Sequence, residues 1–366
     1  MPIARVARTL GRNASILLAV AVAASAATFL GRAAGVSEVL VFVLSAVALA
    51  GLAGLVGEGT DQLGARLGPG ATGVLQSALG NLPELFISIF ALQAGLVTVV
   101  QTALIGSILA NSLLVLGLAF LLGGLRHGVQ TFQVGPVRMM AILLVLAVGA
   151  LLIPTLATAP GAPDAGHRVD LSVIVAIVLL VVFVASIPYS VRGGPGASRI
   201  ETDIAADALW PLWLAVGLLA LAGAGAAVVS DWFVEALRPS MATLGLSEAF
   251  VGLVIVAIAG NAVENVVGIQ MALRNRVDLA VSLILNSSLQ VAIALAPALV
   301  LISLVIGGGT LTLVLPPLLL AAVALAAVLG AMVVFDGEST WLEGLALLGL
   351  YLIIAASVWY GPAIRG

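Results

Sequence analysis

Two carboxylic acids, Glu84 and Glu264, stand in the middle of apolar stretches, each closing the same short phrase. The copies read Gly80-Asn81-Leu82-Pro83-Glu84 and Gly260-Asn261-Ala262-Val263-Glu264, 180 residues apart in a chain of 366. No arginine occurs between Arg66 and Arg126 or between Arg238 and Arg274, and the chain has no lysine, so neither acid has a basic neighbour in sequence. An ionised carboxylate at bilayer depth is costly, and such residues usually mark an ion or proton path. Fixed negative charge of this kind calls for a cation or for protons.

The surrounding residue types sharpen that reading. Asn81 and Glu84 are i and i+3, as are Asn261 and Glu264, which places amide and acid on one helix face. Glycine ahead of each asparagine (Gly80, Gly260) permits close backbone approach, and Pro83 removes a donor and frees a carbonyl upstream. On the following helices Ser107 and Asn111 share a face at i and i+4, while Ser287, Ser288 and Gln290 form the corresponding patch. Every donor is an oxygen, which suits a hard divalent cation; calcium fits more readily than magnesium because its looser shell tolerates irregular ligands. Taken singly, Ser107, Asn111 and Ser288 are equally readable as hydrogen-bonding glue between membrane helices.

The elements that must position these groups are membrane helices. The chain is 62% hydrophobic and 8% charged, with a mean hydropathy of +1.26. Its apolar runs exceed the length that spans a bilayer, and strands of alternating polarity are absent. The pattern predicts an all-α integral membrane protein with about eleven spans: 14–32, 36–57, 70–93, 97–124, 137–158, 170–192, 209–233, 248–273, 277–304, 310–335 and 340–360. Arg5, Arg8 and Arg12 ahead of an apolar run ending Ala24-Ser25-Ala26 also allow the first span to be read as a signal peptide. The absence of cysteine excludes disulfides and thiol chemistry, and a net charge of −3 without a basic tail gives no footing for nucleic acid. The all-arginine basic set and the abundance of Ala, Gly and Val suggest a bacterial source.

With the N-terminus cytoplasmic, ten of the 14 arginines fall inside and only Arg32, Arg168, Arg238 and Arg365 fall outside. Span three then runs outward and span eight inward, so the two copies of the motif point in opposite directions. Stretches 80–117 and 260–297 align without gaps, and Glu84 to Ser107 is 23 residues, as is Glu264 to Ser287. Two related halves of opposite topology around a midplane site are a common transporter plan. The expected organisation is an extra N-terminal helix (1–35), a first five-helix repeat (36–191), a cytoplasmic linker (192–208) and a second, inverted five-helix repeat (209–366). The antiparallel helices would carry both carboxylates near the midplane, where they could share one ion.

At these residues the chain resembles the calcium/proton antiporters, the cation-exchanger branch of the calcium:cation antiporter superfamily. The first signature is Gly80-Asn81-x-x-Glu84 followed by Gly106-Ser107-Ile108-Leu109-Ala110-Asn111, and the second is Gly260-Asn261-Ala262-Val263-Glu264 followed by Asn286-Ser287-Ser288-Leu289-Gln290. Gly57-Glu58-Gly59-Thr60-Asp61 and Asp336-Gly337-Glu338-Ser339, ahead of Trp341, lend support. The resemblance implies that Glu84 and Glu264 bind calcium and protons in alternation, with Asn81 and Asn261 beside them. It also implies that helices two and seven slide across a core, and that Glu58 lines the cytoplasmic approach. The chain departs from the family pattern at Asn265, where histidine is usual, and at Asn286, where glycine is usual. The acidic segment between halves is reduced to Glu201, Asp203 and Asp207.

The expected activity is secondary export of Ca2+ in exchange for H+ across the inner (plasma) membrane, with Ca2+ as transported substrate and no cofactor. A sodium-coupled or other-metal exchanger, for instance for Mn2+, and a passive cation channel are the alternatives. No phosphate-binding Gly-x-x-x-x-Gly-Lys phrase and no nucleophile–base set points to an enzyme. His127 and His167 read as solvated loop residues. The partners are the ions and the lipid bilayer, and the reading admits a homo-oligomer.

Overall fold

A computed structural model describes residues 3–67, 75, 79–162, 164–191 and 209–360. The elements are α1 (Ile3–Ala34), α2 (Glu38–Leu67), α3 (Leu82–Gln93), α4 (Val97–His127), α5 (Val134–Ala157) and α6 (Arg168–Val191), followed by α7 (Leu212–Leu244) and α8 (Glu248–Gly260). The chain continues with α9 (Ala262–Leu273), α10 (Val277–Ser303), α11 (Pro317–Val333) and α12 (Trp341–Tyr360). Two short strands, β1 (Gln130–Thr131) and β2 (Glu338–Ser339), pair antiparallel, Gln130 opposite Ser339.

Among the described residues eight helices are long and apolar enough to cross a membrane, nine with α8 and α9 counted as one span bent by 64°. The chain is a multi-pass membrane protein. Large apolar side chains face outward, among them Val305 at 82% and Leu221 at 72% exposure, as a lipid solvent demands. Nine of the eleven expected segments overlap one of these helices or the bent pair, while 70–93 and 310–335 hold the shorter apolar helices α3 and α11. Most of 70–78 and the whole linker 192–208 lie outside the described residues.

One segment differs from expectation. The span read as 310–335 is helical only from Pro317, because Gly307-Gly308-Gly309 and Pro316-Pro317 oppose helix. Residues 304–316 instead form an irregular strap whose polar backbone must be satisfied by protein. Gln101 Nε2 on α4 donates to Thr312 O (2.8 Å) and Val314 O (3.2 Å). Thr155 Oγ1 on α5 donates to Leu313 O (3.1 Å) and accepts from Leu315 N (2.8 Å). Ser172 on α6 and Ser303 on α10 accept from Leu313 N and Leu311 N. Four helices are thereby stitched to one strap.

The chain divides into two compact units. One gathers α1, α2, α7, α3 to Phe90 and Ala259–Val263; the other gathers α4 to α6, α10 to α12, α8 to Ile258 and α9 from Glu264. Each unit thus draws on both halves of the sequence. In the first, α2 packs on both α1 and α7. A Cβ on Gly51 would meet Ala21 N at 2.9 Å, and Phe42 stacks on Phe233 with centroids 4.7 Å apart. At the chain-terminal side of α1, Arg32 pairs with Glu235 and lies 5.3 Å over the Trp232 ring.

In the second unit α4 crosses α8 at a reciprocal pair of glycines. A Cβ on Gly106 would fall 2.3 Å from Leu253 O, and one on Gly252 would fall 2.5 Å from Val99 O. Small residues let membrane helices approach until backbones touch, where dispersion drives association in the absence of a hydrophobic force. Along its later turns α4 meets α12, where Gly344 lies against Leu121 N.

Gly106→Val should therefore separate α4 from α8 and abolish a monodisperse folded species in detergent. Gly149→Ala on α5, where nothing lies within 4 Å, should leave the unfolding temperature unchanged or raise it slightly. Size-exclusion and thermal unfolding of the two variants check both outcomes.

Candidate functional site

Both glutamates sit in the first turn of a half-helix. α3 begins at Leu82 after a turn at Gly80-Asn81, and α9 begins at Ala262 after a turn at Asn261 that interrupts the span. Glu84 is the third residue of α3 and Glu264 the third of α9. A helix N-terminus carries roughly half a positive charge, so each break sets a carboxylate beside N–H groups that the helix leaves unsatisfied. Glu84 is 1% exposed, Glu264 is half-buried, and Asn81 and Asn261 are both buried.

In the first compact unit the second motif touches the first. A Cβ built on Gly260 would lie 3.6 Å from Glu84 Cβ and Cγ, so the backbone of Gly260 rests on the acid's stem. That separation is ordinary van der Waals contact. Gly260 is therefore adjacent to the acid without being demanded there by sterics.

In the second unit a chain of hydrogen bonds ends on the other acid. Asn111 Nδ2 donates to Ser287 Oγ at 2.9 Å, and Ser287 Oγ in turn donates to Glu264 Oε2. Beside it the Ser112 and Ser288 hydroxyls lie 3.2 Å apart. Ser107, Asn111, Ser112, Ser288 and Gln290 are all buried. The α4 residues enter through a π-helical stretch, Ala110–Val115, and α10 has its own, Val291–Leu295, directly after Gln290. A π turn widens the helix and weakens the regular ladder, a distortion frequent at functional sites. A third π stretch, Val251–Val256, lies in α8 at the Gly252 crossing.

The structure thus brings together Asn111, Ser287 and Glu264, and separately Gly260 and Glu84. Ser288 lies beside this chain through Ser112, which the sequence reading passed over although it follows Asn111 in the same apolar run. Glu58 is half-buried on α2, with Asp61 one turn on. Asn265, adjacent to Glu264, has its Oδ1 buried with no hydrogen-bond partner among the described residues. Asn286 is half-buried on α10. His127 is no loop residue: it closes α4 and its Nε2 donates to Leu273 O at 2.9 Å, since a carbonyl can only accept. Among the described residues no three His, Asp or Glu side chains cluster. A cation held near either glutamate would draw on amides, hydroxyls and carbonyls as well as carboxylate.

Comparison with known proteins gives concordant results. The profile described as sodium/calcium exchanger protein matches residues 37–192 and 214–360. A Ca(2+)/H(+) antiporter from Synechocystis sp. is 35% identical over 351 residues, covering 90% of this chain and 93% of that protein. The Ca(2+)/H(+) antiporter ChaA of Bacillus subtilis is 34% identical over 321 residues, covering 86% and 91%. The solved structure of native YfkE superposes with a TM-score of 0.80 at 31% identity, covering 94% of this chain and 99% of that one.

Ser287→Ala removes the hydroxyl that bridges Asn111 and Glu264. Leaving both without that partner should lower the unfolding free energy by about 1–3 kcal/mol. Denaturant unfolding in detergent measures it, and a loss within error of zero would mean the bridge is not formed.

Proposed function

Because this chain belongs to the sodium/calcium exchanger protein family, we propose that it is a secondary active antiporter that exports Ca2+ from the cytoplasm in exchange for H+. The observation that carries the reading is the Asn111–Ser287–Glu264 chain, a half-buried acid engaged by a hydroxyl that a buried amide holds in turn. The names of the Synechocystis sp. and Bacillus subtilis relatives support the choice of ions. Glu84 and Glu264 are the residues that bind the cation and the protons, with Asn81 and Asn261 beside them. Gly80, Gly260, Ser107, Asn111, Ser287, Ser288 and Gln290 line the site, and Glu58 lines the cytoplasmic approach.

Carboxylates coordinate a metal only when deprotonated, so calcium and protons compete for the same oxygens. One divalent ion or a pair of protons neutralises the two glutamates. The empty, doubly charged site is the species that cannot cross the low-dielectric interior. Where proton activity is low and calcium is available, the ion binds; where protons are abundant, they displace it. Inward proton flow then drives calcium outward without ATP. Dipoles at the two helix breaks stabilise the charged acids before a cation arrives, without occupying the position a cation needs.

The same reading assigns eleven spans: an N-terminal helix and two inverted five-helix repeats, 36–191 and 209–366. The N-terminus is cytoplasmic and the protein lies in a bacterial inner membrane. The recurrence of a helix break, a first-turn glutamate and a following π stretch in both halves supports the repeat. α2 and α7, which pack on each other in one compact unit, are the elements that slide to open one side and then the other.

In inside-out vesicles free of sodium, an imposed pH gradient should drive calcium uptake by the wild-type chain. Glu84→Gln and Glu264→Gln should each abolish it, at least a hundred-fold by the order of magnitude expected for loss of an essential group, while folding normally. Substantial exchange by either variant removes the two-glutamate assignment. Sodium-dependent uptake instead would transfer the reading to a sodium-coupled exchanger, and competition by Mn2+ reads out selectivity.

A further inference from the structure

The hairpins that follow α3 and α9 are built alike. After α3, Gly95 N donates to Leu92 O (2.9 Å) and Leu96 N to Ala91 O (2.8 Å). After α9, Asn275 N donates to Ala272 O (3.0 Å) and Arg276 N to Met271 O (2.9 Å). Each turn passes through a left-handed residue, Gly95 at φ 74° and Asn275 at φ 60°. The equivalent carbonyls are again 180 residues apart.

Helix C-termini leave carbonyls short of donors, and in both hairpins the corresponding carbonyl takes a second one from a distant connection. Leu92 O accepts from Gly309 N (2.9 Å), in the strap that follows α10. Ala272 O accepts from Gln130 Nε2 (3.1 Å), in the connection that follows α4. Gln130 Nε2 also donates to Asn275 Oδ1 (2.8 Å), on the left-handed residue itself. Next to it His127 holds Leu273 O. The loop of each half therefore grips the end of the glutamate-bearing helix of the other half.

Gln130 is built for this grip. Ala272 O has no proton to give, so the side-chain atom facing it must be the nitrogen. The other end of the amide is poorly served: Oε1 is buried without a hydrogen-bond partner among the described residues. Gly123 makes room for it, since a Cβ there would come within 2.1 Å of Oε1. The Gln130 backbone is fixed in turn by pairing with Ser339 in the β1–β2 ladder. Both side-chain bonds of Gln130 are thus made by its nitrogen.

We propose that Gln130 is a positioning residue for cation exchange, fixing the far end of α9 so that Glu264 at its near end is held for the ion. The inference rests on the exchange reading above. Glu264 lies in the first turn of α9 and Ala272 in the last, about 12 Å apart along the axis at helical rise. The break at Asn261 leaves no continuous helix ahead of the acid. The C-terminal end of α9, where Gln130 and His127 attach, then helps set its orientation together with the Ser287 bond at Glu264.

Gln130→Met keeps side-chain length and removes both donors. With equal amounts of folded protein in inside-out vesicles, its KM for Ca2+ should rise about five-fold with the maximal rate unchanged, the pattern of lost binding geometry. Asn275→Asp retains the acceptor and a residue type that tolerates positive φ, and should stay near wild type. Gly123→Ala places a Cβ 2.1 Å from Gln130 Oε1, displacing the side chain while leaving its amide in the sequence, and should raise KM in the same direction, which keeps the test open if Gln130→Met does not fold. An unchanged KM in the folded variants, or a maximal rate that falls with folded yield while KM holds, overturns the proposal. A wild-type chain that performs no calcium/proton exchange overturns the exchange reading itself, and with it the role given to Gln130.

Discussion

An acid placed inside a membrane protein beside a fixed arginine would be permanently neutralised, and any incoming cation would have to displace that partner. Glu264 is instead engaged by the Ser287 hydroxyl, and Ser287 by the Asn111 amide. Neutral donors stabilise a carboxylate by a modest amount each, yet they leave its net charge intact. In the proposed exchange cycle, that balance lets one pair of oxygens take up either a metal ion or a proton. It also constrains the scaffold, because hydroxyls, amides and helix ends must be delivered to a place where lipid supplies none.

Several irregularities of the fold answer that demand. A continuous helix offers no free N–H groups in its middle, so the chain is interrupted at Gly80-Asn81 and at Asn261, one turn or less ahead of each acid. The π stretches carry Asn111 and Ser112 into the interior and follow Gln290 on the facing helix. Such distortions survive at membrane depth only if their backbone groups are covered by protein. The Gly106–Gly252 crossing provides such cover for the π stretch of α8, Val251–Val256, by bringing α4 and α8 into backbone contact. The strap at 304–316 meets the same rule with side chains, borrowing Gln101, Thr155, Ser172 and Ser303 from four helices.

Much of this was legible in the chain itself, because a lone acid in an apolar run is a loud signal against a quiet background. The duplicated motif located both glutamates, helical spacing put Asn111 on a face with Ser107, and the repeat's equal spacing selected Ser287, to which the structure joins Asn111. Hydropathy, however, reports affinity for lipid and says little about backbone geometry. It read 310–335 as one span although Gly307-Gly308-Gly309 and Pro316-Pro317 delay the helix to Pro317. It carries no mark of a π turn, and it passed over Ser112, whose partner Ser288 lies 176 residues away. His127 reads as a loop residue, whereas it closes α4, still exposed, with its acceptor Leu273 O in a hairpin 146 residues away in sequence. Contacts of that kind depend on which loops meet, and one sequence contains no direct record of it. The two compact units are illegible for the same reason, since each mixes segments from both halves.

The ties on Leu92 O and Ala272 O give two hairpins one geometry through unlike groups. One carbonyl is held by the backbone N–H of Gly309, the other by the side-chain nitrogen of Gln130. The backbone donor at 309 is constrained by space, since a Cβ there would fall 2.2 Å from Val97 Cγ2, whereas the amide donor exists only while glutamine remains. The two positions are therefore held by different constraints, one steric and one chemical. An alignment of the halves would find no match at 130 and 310, where glutamine stands opposite threonine. The equivalence lies instead in the acceptors, two helix-end carbonyls at the same distance from their glutamates: Leu92 eight residues after Glu84, and Ala272 eight after Glu264. What repeats in this chain at the far ends of α3 and α9 is the need to fix a short helix that begins at a break, and that need is met by whichever group the neighbouring connection can supply.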